Sequence, residues 1–209
     1  MRQLLLIRHG LTEWNAAGKF QGHSDVELSE EGRAQAEALR GRLETLEQNG
    51  LKVDRVVSSP LKRAYQTAQV ALPGREVHRD ERLKELNFGA FEGRTLAQNV
   101  ASEAWDAWYR DPFKHRTPGG ESYEDLRLRA ADWLESLPAG HVVAFTHSGT
   151  IQMLLSYVMG VEHPKGRKRI FLRHTSLTRV LCQNGERVIE RVNDARHLEP
   201  SVGDEAFGG

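Results

Sequence analysis

Short runs of apolar residues recur along the chain, and longer stretches with helical periodicity separate them. The runs at residues 3–8, Val53–Val57 and His141–Thr146 are five or six residues long. Short apolar runs of this kind are typical of parallel strands buried on both faces of a sheet. Their alternation with helices predicts an α/β fold, a three-layer α/β/α sandwich around a mostly parallel central sheet.

Two helices in the first half of the chain have recognisable start and stop signals. Ser29 can cap the first, and Asn49-Gly50 can end it. The second is expected to follow Ser58-Ser59-Pro60, read as a cap with proline at the first helical position, and to stop at Pro73-Gly74. The first helix buries a stripe of leucines: Leu39, Leu43 and Leu46.

The hydrophobic pattern in the second half of the chain is irregular at first and then predicts helices and strands again. Residues 76–94 have an irregular pattern, and residues 95–137 are predicted to be helical, with a break at PGGES and a capping box at Ser122 and Asp125. Asn184-Gly185 joins LTRVLCQ to ERVIERV as a two-residue hairpin. We therefore expect a single domain over 1–209, with a helical excursion at about 88–120 and a flexible tail at about 194–209.

Composition narrows the classes of partner. The 29 basic and 29 acidic residues balance, so no global field favours a nucleic acid or an anionic membrane. KGRKR at 165–169 is then best explained as a solvated loop. The one cysteine, Cys182, excludes an internal disulfide, and no apolar run approaches the length of a membrane span or a secretory signal. We expect a cytoplasmic protein.

Polar residues of similar kind follow three of the predicted strands. Arg8-His9 follows the first, Ser58-Ser59 and then Arg63 follow the second, and His147-Ser148 follows the third. The carboxyl ends of strands in open α/β sheets line the ligand crevice, so these groups can converge. Two histidines and two arginines there make an electropositive pocket that suits a phosphate dianion.

Several other chemistries do not fit the sequence. Two histidines without a third ligand argue against zinc, and neither a phosphate-binding GxxxxGK[ST] loop nor a GxGxxG dinucleotide fingerprint is present. THSGT lacks the glycines of a nucleophile elbow at positions 146 and 150. We therefore expect no metal and no cofactor, and histidine itself remains as the nucleophile.

Four blocks in order and spacing resemble one known family. RHGLTEWN with FQG, SSPLKRAYQTA, LKELNFGAFEG and FTHSG are similar to motifs of the histidine phosphatase superfamily, the phosphoglycerate mutase-like family. The resemblance runs from residue 3 to about 180, nearly the whole domain. It implies a phosphoglycerate mutase-like fold in which residues 88–120 form a lid.

The resemblance also implies a role for each matching residue. His9 would attack phosphorus and become phosphohistidine, while Glu85 would serve as general acid and then as general base. Arg8, Arg63 and His147 would hold the phosphoryl oxygens. Asn15, Gln21, Gly22 and Ser148 would lie beside the substrate. Three other glutamates, Glu81, Glu92 and Glu121, are near Glu85 in the sequence. The aromatic cluster Trp105, Trp108 and Tyr109 is better explained as a packed helix face than as a substrate platform.

Three functions stay open at this point. A phosphomonoester phosphatase acting on a small phosphorylated metabolite is preferred, because the segment before PGGES is shorter than the insertion usual in cofactor-dependent mutases of this family. A cofactor-dependent phosphoglycerate mutase is the alternative. A non-enzymatic phospho-ligand binding protein fits least, since every residue that the chemistry needs is present. The expected partner is a small phosphomonoester, and a homodimer through a sheet edge or a helix face is compatible with the sequence.

Overall fold

The computed structural model describes residues 2–161 and 170–198. Six strands are β1 Arg2–Arg8, β2 Arg55–Ser58, β3 Val77–Arg79, β4 His141–Thr146, β5 Leu177–Gln183 and β6 Glu186–Asp194. The α-helices are α1 Glu13–Ala16, α2 Glu30–Gln48, α3 Lys62–Ala71, α4 Leu96–Val100, α5 Glu103–Tyr109, α6 Tyr123–Ser136 and α7 Ser148–Val158. Two single-turn 3-10 helices, Glu81–Leu83 and Gly89–Phe91, precede α4.

The strands form one sheet in the order β3-β2-β4-β1-β5-β6. The pairs β2–β3, β2–β4 and β1–β4 are parallel, whereas β5 is antiparallel to both β1 and β6. The mostly parallel sheet is therefore confirmed. The antiparallel direction of β5 was not specified by the sequence pattern, and it brings the residues before β5 to the same edge as the carboxyl end of β1.

Two hydrophobic clusters cover the two faces of the sheet. Leu4 and Leu6 of β1 pack on one face with residues of α6 and α7, while Leu5 and Ile7 pack on the other with residues of α2 and α3. This alternation follows from the two-residue period of a strand, and burying each such side chain contributes roughly 1.5–3 kcal/mol. The predicted three-layer α/β/α sandwich is confirmed.

The helix starts agree with the sequence in two places and differ in two. Ser29 accepts a hydrogen bond from the Gly32 amide at 3.1 Å, and Ser122 forms the expected capping box with Asp125. The prediction that Ser59 caps α3 is wrong, because α3 begins at Lys62 without a side-chain cap. The short helix α1, capped by Thr12, is not among the helices that the sequence pattern predicted.

Residues 88–120 pack onto the rest of the chain through an aromatic cluster. Trp105 and Trp108 of α5 are 4% and 3% exposed and contact Phe91, so they belong to a packed helix face, as expected. Tyr109 stacks on Trp105 at the edge of this cluster with ring centroids 5.6 Å apart. The cluster also contains Leu126 of α6 and Met153 of α7, so it holds α5 against these two helices.

The end of the described chain forms a hairpin and then contacts the rest of the fold. Asn184 and Gly185 both have positive φ, as the predicted two-residue hairpin requires. Where a flexible tail was expected from about 194, Ala195 is buried and His197 is hydrogen-bonded to Thr175 at 2.9 Å. Residues 199–209 and the KGRKR run lie outside the described residues. Among the helices in the described ranges, none has the length and apolar character needed to cross a bilayer.

Candidate active site

A pocket of about 230 Å³ opens at the edge of the sheet where β1, β2 and β4 end. Register pairs Arg8 of β1 with Thr146 of β4, and Ser58 of β2 with Phe145, so the three strand ends are level. The lining residues are Arg8, His9, Asn15, Gly18, Lys19, Phe20, Gln21, Gly22, Arg63, Glu85 and Phe88. Seven of the nine residues expected at the site line this pocket, and His147 and Ser148 do not.

His9 is oriented by its own neighbour in the chain. Its side chain is 4% exposed, and Nδ1 lies 2.7 Å from the Gly10 carbonyl oxygen. Because that oxygen can only accept, Nδ1 carries the proton and Nε2 keeps its lone pair. Burial, followed by the charges of Arg63 and Arg8, holds the pKa of His9 well below its ordinary value. The imidazole is therefore neutral at physiological pH and can act as a nucleophile.

His147 lies beside His9, behind the wall of the pocket. The two ring centroids are 5.2 Å apart, and Nε2 of His147 lies 2.8 Å from the Ser59 hydroxyl. Burial lowers the pKa of His147 well below its ordinary value, and the charge of Arg63 adds to this. Within the described residues Nδ1 of His147 has no hydrogen-bond partner. Ser59 thus holds this histidine instead of capping α3.

Arg8 and Arg63 bring two positive charges to the pocket. The Arg63 guanidinium is fully buried and donates to the carbonyl oxygens of Ser24 and Gly22, at 2.9 and 2.7 Å. Arg8 donates to the carbonyl of Leu172. Burial lowers the pKa of each arginine to about 10, and the charge of Glu85 opposes that shift. Both stay protonated at pH 7, so the pocket attracts anions.

Glu85 faces these arginines from a loop and accepts hydrogen bonds from the amides of Leu86 and Gly149, at 2.9 and 3.0 Å. Gly149 is the second residue of α7, so the carboxylate lies at the positive end of that helix. A Cβ at position 149 would collide with the carboxylate, which explains why glycine is needed there.

The backbone of the Glu85 loop is tied to the protein by side chains. The hydroxyls of Thr146 and Thr150 donate to the carbonyls of Leu83 and Lys84. The Glu85 carbonyl accepts from Nε2 of His23 at 2.9 Å and from Arg129 at 2.6 Å. Arg129 is in turn paired with Glu121. These contacts fix the direction in which Glu85 reaches the pocket.

Another carboxylate, that of Glu92, organises the loop that carries Gln21 and Gly22. It accepts from the amides of His23, Ser24 and Phe88 and from the Ser24 hydroxyl, at 2.5–3.1 Å. Gly22 in this loop has φ of +50°, a left-handed conformation that favours glycine. Glu92 therefore shapes the loop that carries Gln21 and Gly22.

Asn15 and Gln21 offer polar groups beside the arginines. The Asn15 side-chain oxygen accepts from the Thr12 hydroxyl at 3.0 Å, which fixes the amide orientation. Gln21 is 6% exposed, and its side-chain oxygen has no partner among the described residues. Both line the pocket and can hydrogen-bond a bound ligand. Ser148, by contrast, is the first residue of α7 and accepts a hydrogen bond from Gln152.

Sequence reasoning missed a third histidine, His174, which lies just before β5. Its ring centroid is 5.6 Å from that of His9, and its Nδ1 lies 3.2 Å from the His9 carbonyl oxygen. Burial and the charge of Arg8 lower the pKa of His174 to about 3. One signal was present in the sequence: the Arg-His pair at Arg8-His9 occurs again at Arg173-His174. The second pair precedes a strand, whereas the first stands at the end of one. In the described ranges no group of three or more His, Cys, Asp or Glu side chains is placed to hold a metal ion.

Comparisons with known proteins match this chain to one family over most of its length. A sequence model of the histidine phosphatase superfamily (branch 1) matches residues 4–195. A protein of Yersinia enterocolitica named "Probable phosphoglycerate mutase GpmB" is 34% identical over 220 residues, which cover 98% of this chain and 99% of that protein.

Solved structures resemble the fold over nearly its full length. The crystal structure of a phosphoserine phosphatase from Entamoeba histolytica, in complex with 3-phosphoglyceric acid, has a TM-score of 0.80 and 28% identity, covering 95% of this chain and 100% of that chain. The α-ribazole phosphatase from Shigella flexneri has a TM-score of 0.81 and 25% identity, covering 92% and 96%. Proteins named as phosphatases and as a mutase therefore share this architecture.

Proposed function

Because this chain belongs to the histidine phosphatase superfamily, we propose that it is a phosphomonoester phosphatase that acts through a phosphohistidine at His9. The observation that carries the proposal is the hydrogen bond between His9 Nδ1 and the Gly10 carbonyl. It leaves Nε2 unprotonated in a pocket with two guanidinium groups. A neutral imidazole beside two fixed cations suits attack on a phosphoryl dianion.

The first step transfers the phosphoryl group to the enzyme. The lone pair on Nε2 of His9 attacks phosphorus, and the bond from phosphorus to the ester oxygen breaks. A protonated Glu85 donates its proton to that oxygen, and the alcohol leaves. Arg8 and Arg63 neutralise charge on the phosphoryl oxygens during transfer, which is most of what phosphoryl-transfer catalysis requires.

The second step returns the enzyme to its starting state. Glu85, now a carboxylate, accepts a proton from water, and the water oxygen attacks the phosphorus of phosphohistidine. The N–P bond breaks, the electron pair returns to Nε2, and inorganic phosphate leaves. The two amide donors to Glu85 support both steps, because they hold the carboxyl group in one place.

We assign His147 an indirect part in this chemistry. It does not line the pocket, its Nε2 is engaged with Ser59, and its ring packs close to His9. A rotation of this ring toward the phosphoryl group would be needed for direct contact. Its neutral state also avoids placing another positive charge against His9.

The substrate is proposed to be a small phosphomonoester. The pocket volume of about 230 Å³ is below the roughly 300–1,000 Å³ usual for drug-sized ligands. Beyond the arginines its wall combines Phe20 and Phe88 with Lys19. Phe88 begins the proposed lid, residues 88–120, beside this wall. Phosphoglycerate mutase remains the second candidate, favoured by the full-length similarity to the Yersinia protein.

The test is a metal-free assay in EDTA with p-nitrophenyl phosphate, and separately with 3-phosphoglycerate and its bisphosphate primer. We expect phosphate release to exceed formation of 2-phosphoglycerate, and base-quenched enzyme to contain phosphohistidine. His9→Ala is the control and should lose at least about 10⁴-fold in kcat. Faster mutase turnover than phosphate release would reject hydrolysis as the reaction, and a phosphorylated His9→Ala variant would reject His9 as the nucleophile.

A further inference from the structure

The segment Leu172–Ser176, here called the strap, holds the end of β1. The Leu172 carbonyl accepts from the Arg8 guanidinium, the Ser176 carbonyl accepts from the Arg8 amide, and the Thr175 amide donates to the Arg8 carbonyl. His174 completes the set through Nδ1 and the carbonyl of His9. The strap thus contacts Arg8 and His9 through both backbone and side chains.

We propose that His174 is a positioning residue for the nucleophile, which it holds by hydrogen bonding to the backbone of His9 and by packing against its ring. This inference rests on the proposed function, because it concerns the attack by His9. The His9 carbonyl can only accept, so Nδ1 of His174 is the protonated nitrogen. The hydrogen bond fixes the peptide that carries His9, and the ring contact restricts rotation of the imidazole.

The geometry explains why a neutral group is useful at this position. His174 contacts His9 directly and has Arg8 as its charged neighbour. A permanently charged side chain there would add to the positive field around His9 and Arg63. Because burial and Arg8 keep the pKa of His174 at about 3, the residue contributes a donor and a ring without a charge at neutral pH.

The backbone beside His174 supports the same reading. Thr175 has φ of +56°, a conformation that β-branched residues rarely adopt and that persists only where several contacts enforce it. Its hydroxyl donates to the His174 carbonyl at 2.7 Å and accepts from His197 Nε2 at 2.9 Å. Such outliers cluster at sites where one side chain must be held in a single direction.

Four variants separate positioning from general stability. His174→Asn keeps a donor where Nδ1 lies, whereas His174→Gln moves the amide outward and loses it. His174→Phe keeps a ring and removes the donor. His141→Phe is the matched control, because His141 is the first residue of β4 and lies at the opposite end of the strand from the pocket.

The readout is the pre-steady-state burst of p-nitrophenol, whose amplitude counts competent sites and whose rate reports phosphoryl transfer to His9. We expect His174→Gln and His174→Phe to slow the burst about 10- to 100-fold. His174→Asn should stay within a few-fold of the wild type, and the inhibition constant for inorganic phosphate should not change. His141→Phe should leave the burst unchanged.

Three results would overturn the inference. A wild-type burst rate in both His174→Gln and His174→Phe would remove any positioning role. A reduced amplitude at unchanged rate would mean that His174 only supports folding, and equal slowing in the Asn and Gln variants would exclude the hydrogen bond. If His174→Phe does not fold, the Asn and Gln pair still decides. Absence of phosphohistidine in the wild type would instead reject the proposed function.

Discussion

The two walls of the pocket are built by different means. The first, called the sheet wall, consists of Arg8 and His9 at the end of β1, with His147 packed behind His9, and it is held by the strand ladder and the strap. The second, called the loop wall, carries Glu85, Gln21 and Gly22 on segments without long regular structure, held by hydrogen bonds from side chains to the backbone.

This difference corresponds to two chemical requirements of the proposed reaction. A nucleophile must keep one direction throughout the reaction, and a strand end hydrogen-bonded on both sides is the more rigid support. A general acid must exchange protons with a leaving group and then with water, and a loop can be adjusted to different substrates. We therefore expect changes in the loop wall to alter substrate selectivity, and changes in the sheet wall to alter all substrates equally.

The largest expected effect comes from Glu85→Gln, which tests that division directly. Loss of the acid should lower kcat for alkyl phosphates by about 10²- to 10⁴-fold, because their leaving oxygen needs a proton. Nitrophenyl phosphate should lose much less in its first step. Burst rates on both substrate classes measure this. Equal losses would remove Glu85 from the acid role.

Glu92→Gln should destabilise the loop wall, because the Glu92 carboxylate accepts hydrogen bonds from its backbone. The amide nitrogen cannot accept, so donors among His23, Ser24 and Phe88 lose their charged partner, at a cost of about 1.5–3 kcal/mol. Urea unfolding gives the loss, and KM should rise as well. The control is Glu44→Gln, which removes only an exposed pair with Arg40 and should cost no more than about 0.5 kcal/mol. Similar losses in both variants would contradict this account.

Acid should lower the free energy of unfolding, because the histidine packed against the sheet wall is neutral in the folded protein. The pKa of His174 is about 3 in the folded protein, so as pH falls below about 6.5 only the unfolded chain takes up its proton. Its stabilising contribution is complete above pH 6.5 and falls by about 2 kcal/mol at pH 5. Urea unfolding at pH 7 and pH 5 should show a smaller drop for His174→Asn than for the wild type. Equal drops would mean that this histidine does not titrate as described.

Gly149→Ala should have the smallest effect. Gly149 lies at the start of α7, and its amide donates to Glu85 of the loop wall. The added Cβ displaces the Glu85 carboxylate, so alkyl phosphates should lose about tenfold in kcat, equivalent to about 1.4 kcal/mol. Stability should not fall, because alanine is the better helix residue. Gly41→Ala in α2, where a Cβ meets no neighbour, is the control and should keep full activity. Full activity in Gly149→Ala would contradict the steric argument.

Local rules explain the parts of the fold that the sequence predicted well. The Ser29 cap, the Ser122 capping box and the Asn184-Gly185 hairpin depend on contacts within a few residues. The strand ends at Arg8 and His147 were also recognisable, because short apolar runs stop there. Convergence at one edge then followed from the parallel arrangement.

The parts that were missed depend on distant partners. Ser59 and Pro60 have the pattern of a helix start, but Ser59 contacts His147, which is 88 residues away in the sequence. His174 reaches the site only because β5 runs antiparallel to β1. The apolar pattern of a strand does not reveal the direction of that strand. The sequence likewise could not separate Glu85 from Glu92, since both lie in one irregular stretch. They differ only in their distant contacts: Glu85 lines the pocket and accepts from the Gly149 amide, whereas Glu92 accepts from the His23 and Ser24 amides.

The central place of β1 has a consequence for synthesis on the ribosome. This strand precedes both of its neighbours, β4 and β5, in the chain, and its partner Leu177 is translated far later than Ile7. At roughly 5–20 residues per second, the roughly 170 intervening residues take about 8 to 35 seconds. During that interval the apolar strand is exposed to chaperones and proteases. His9 is therefore translated long before the strand that completes the pairing of β1.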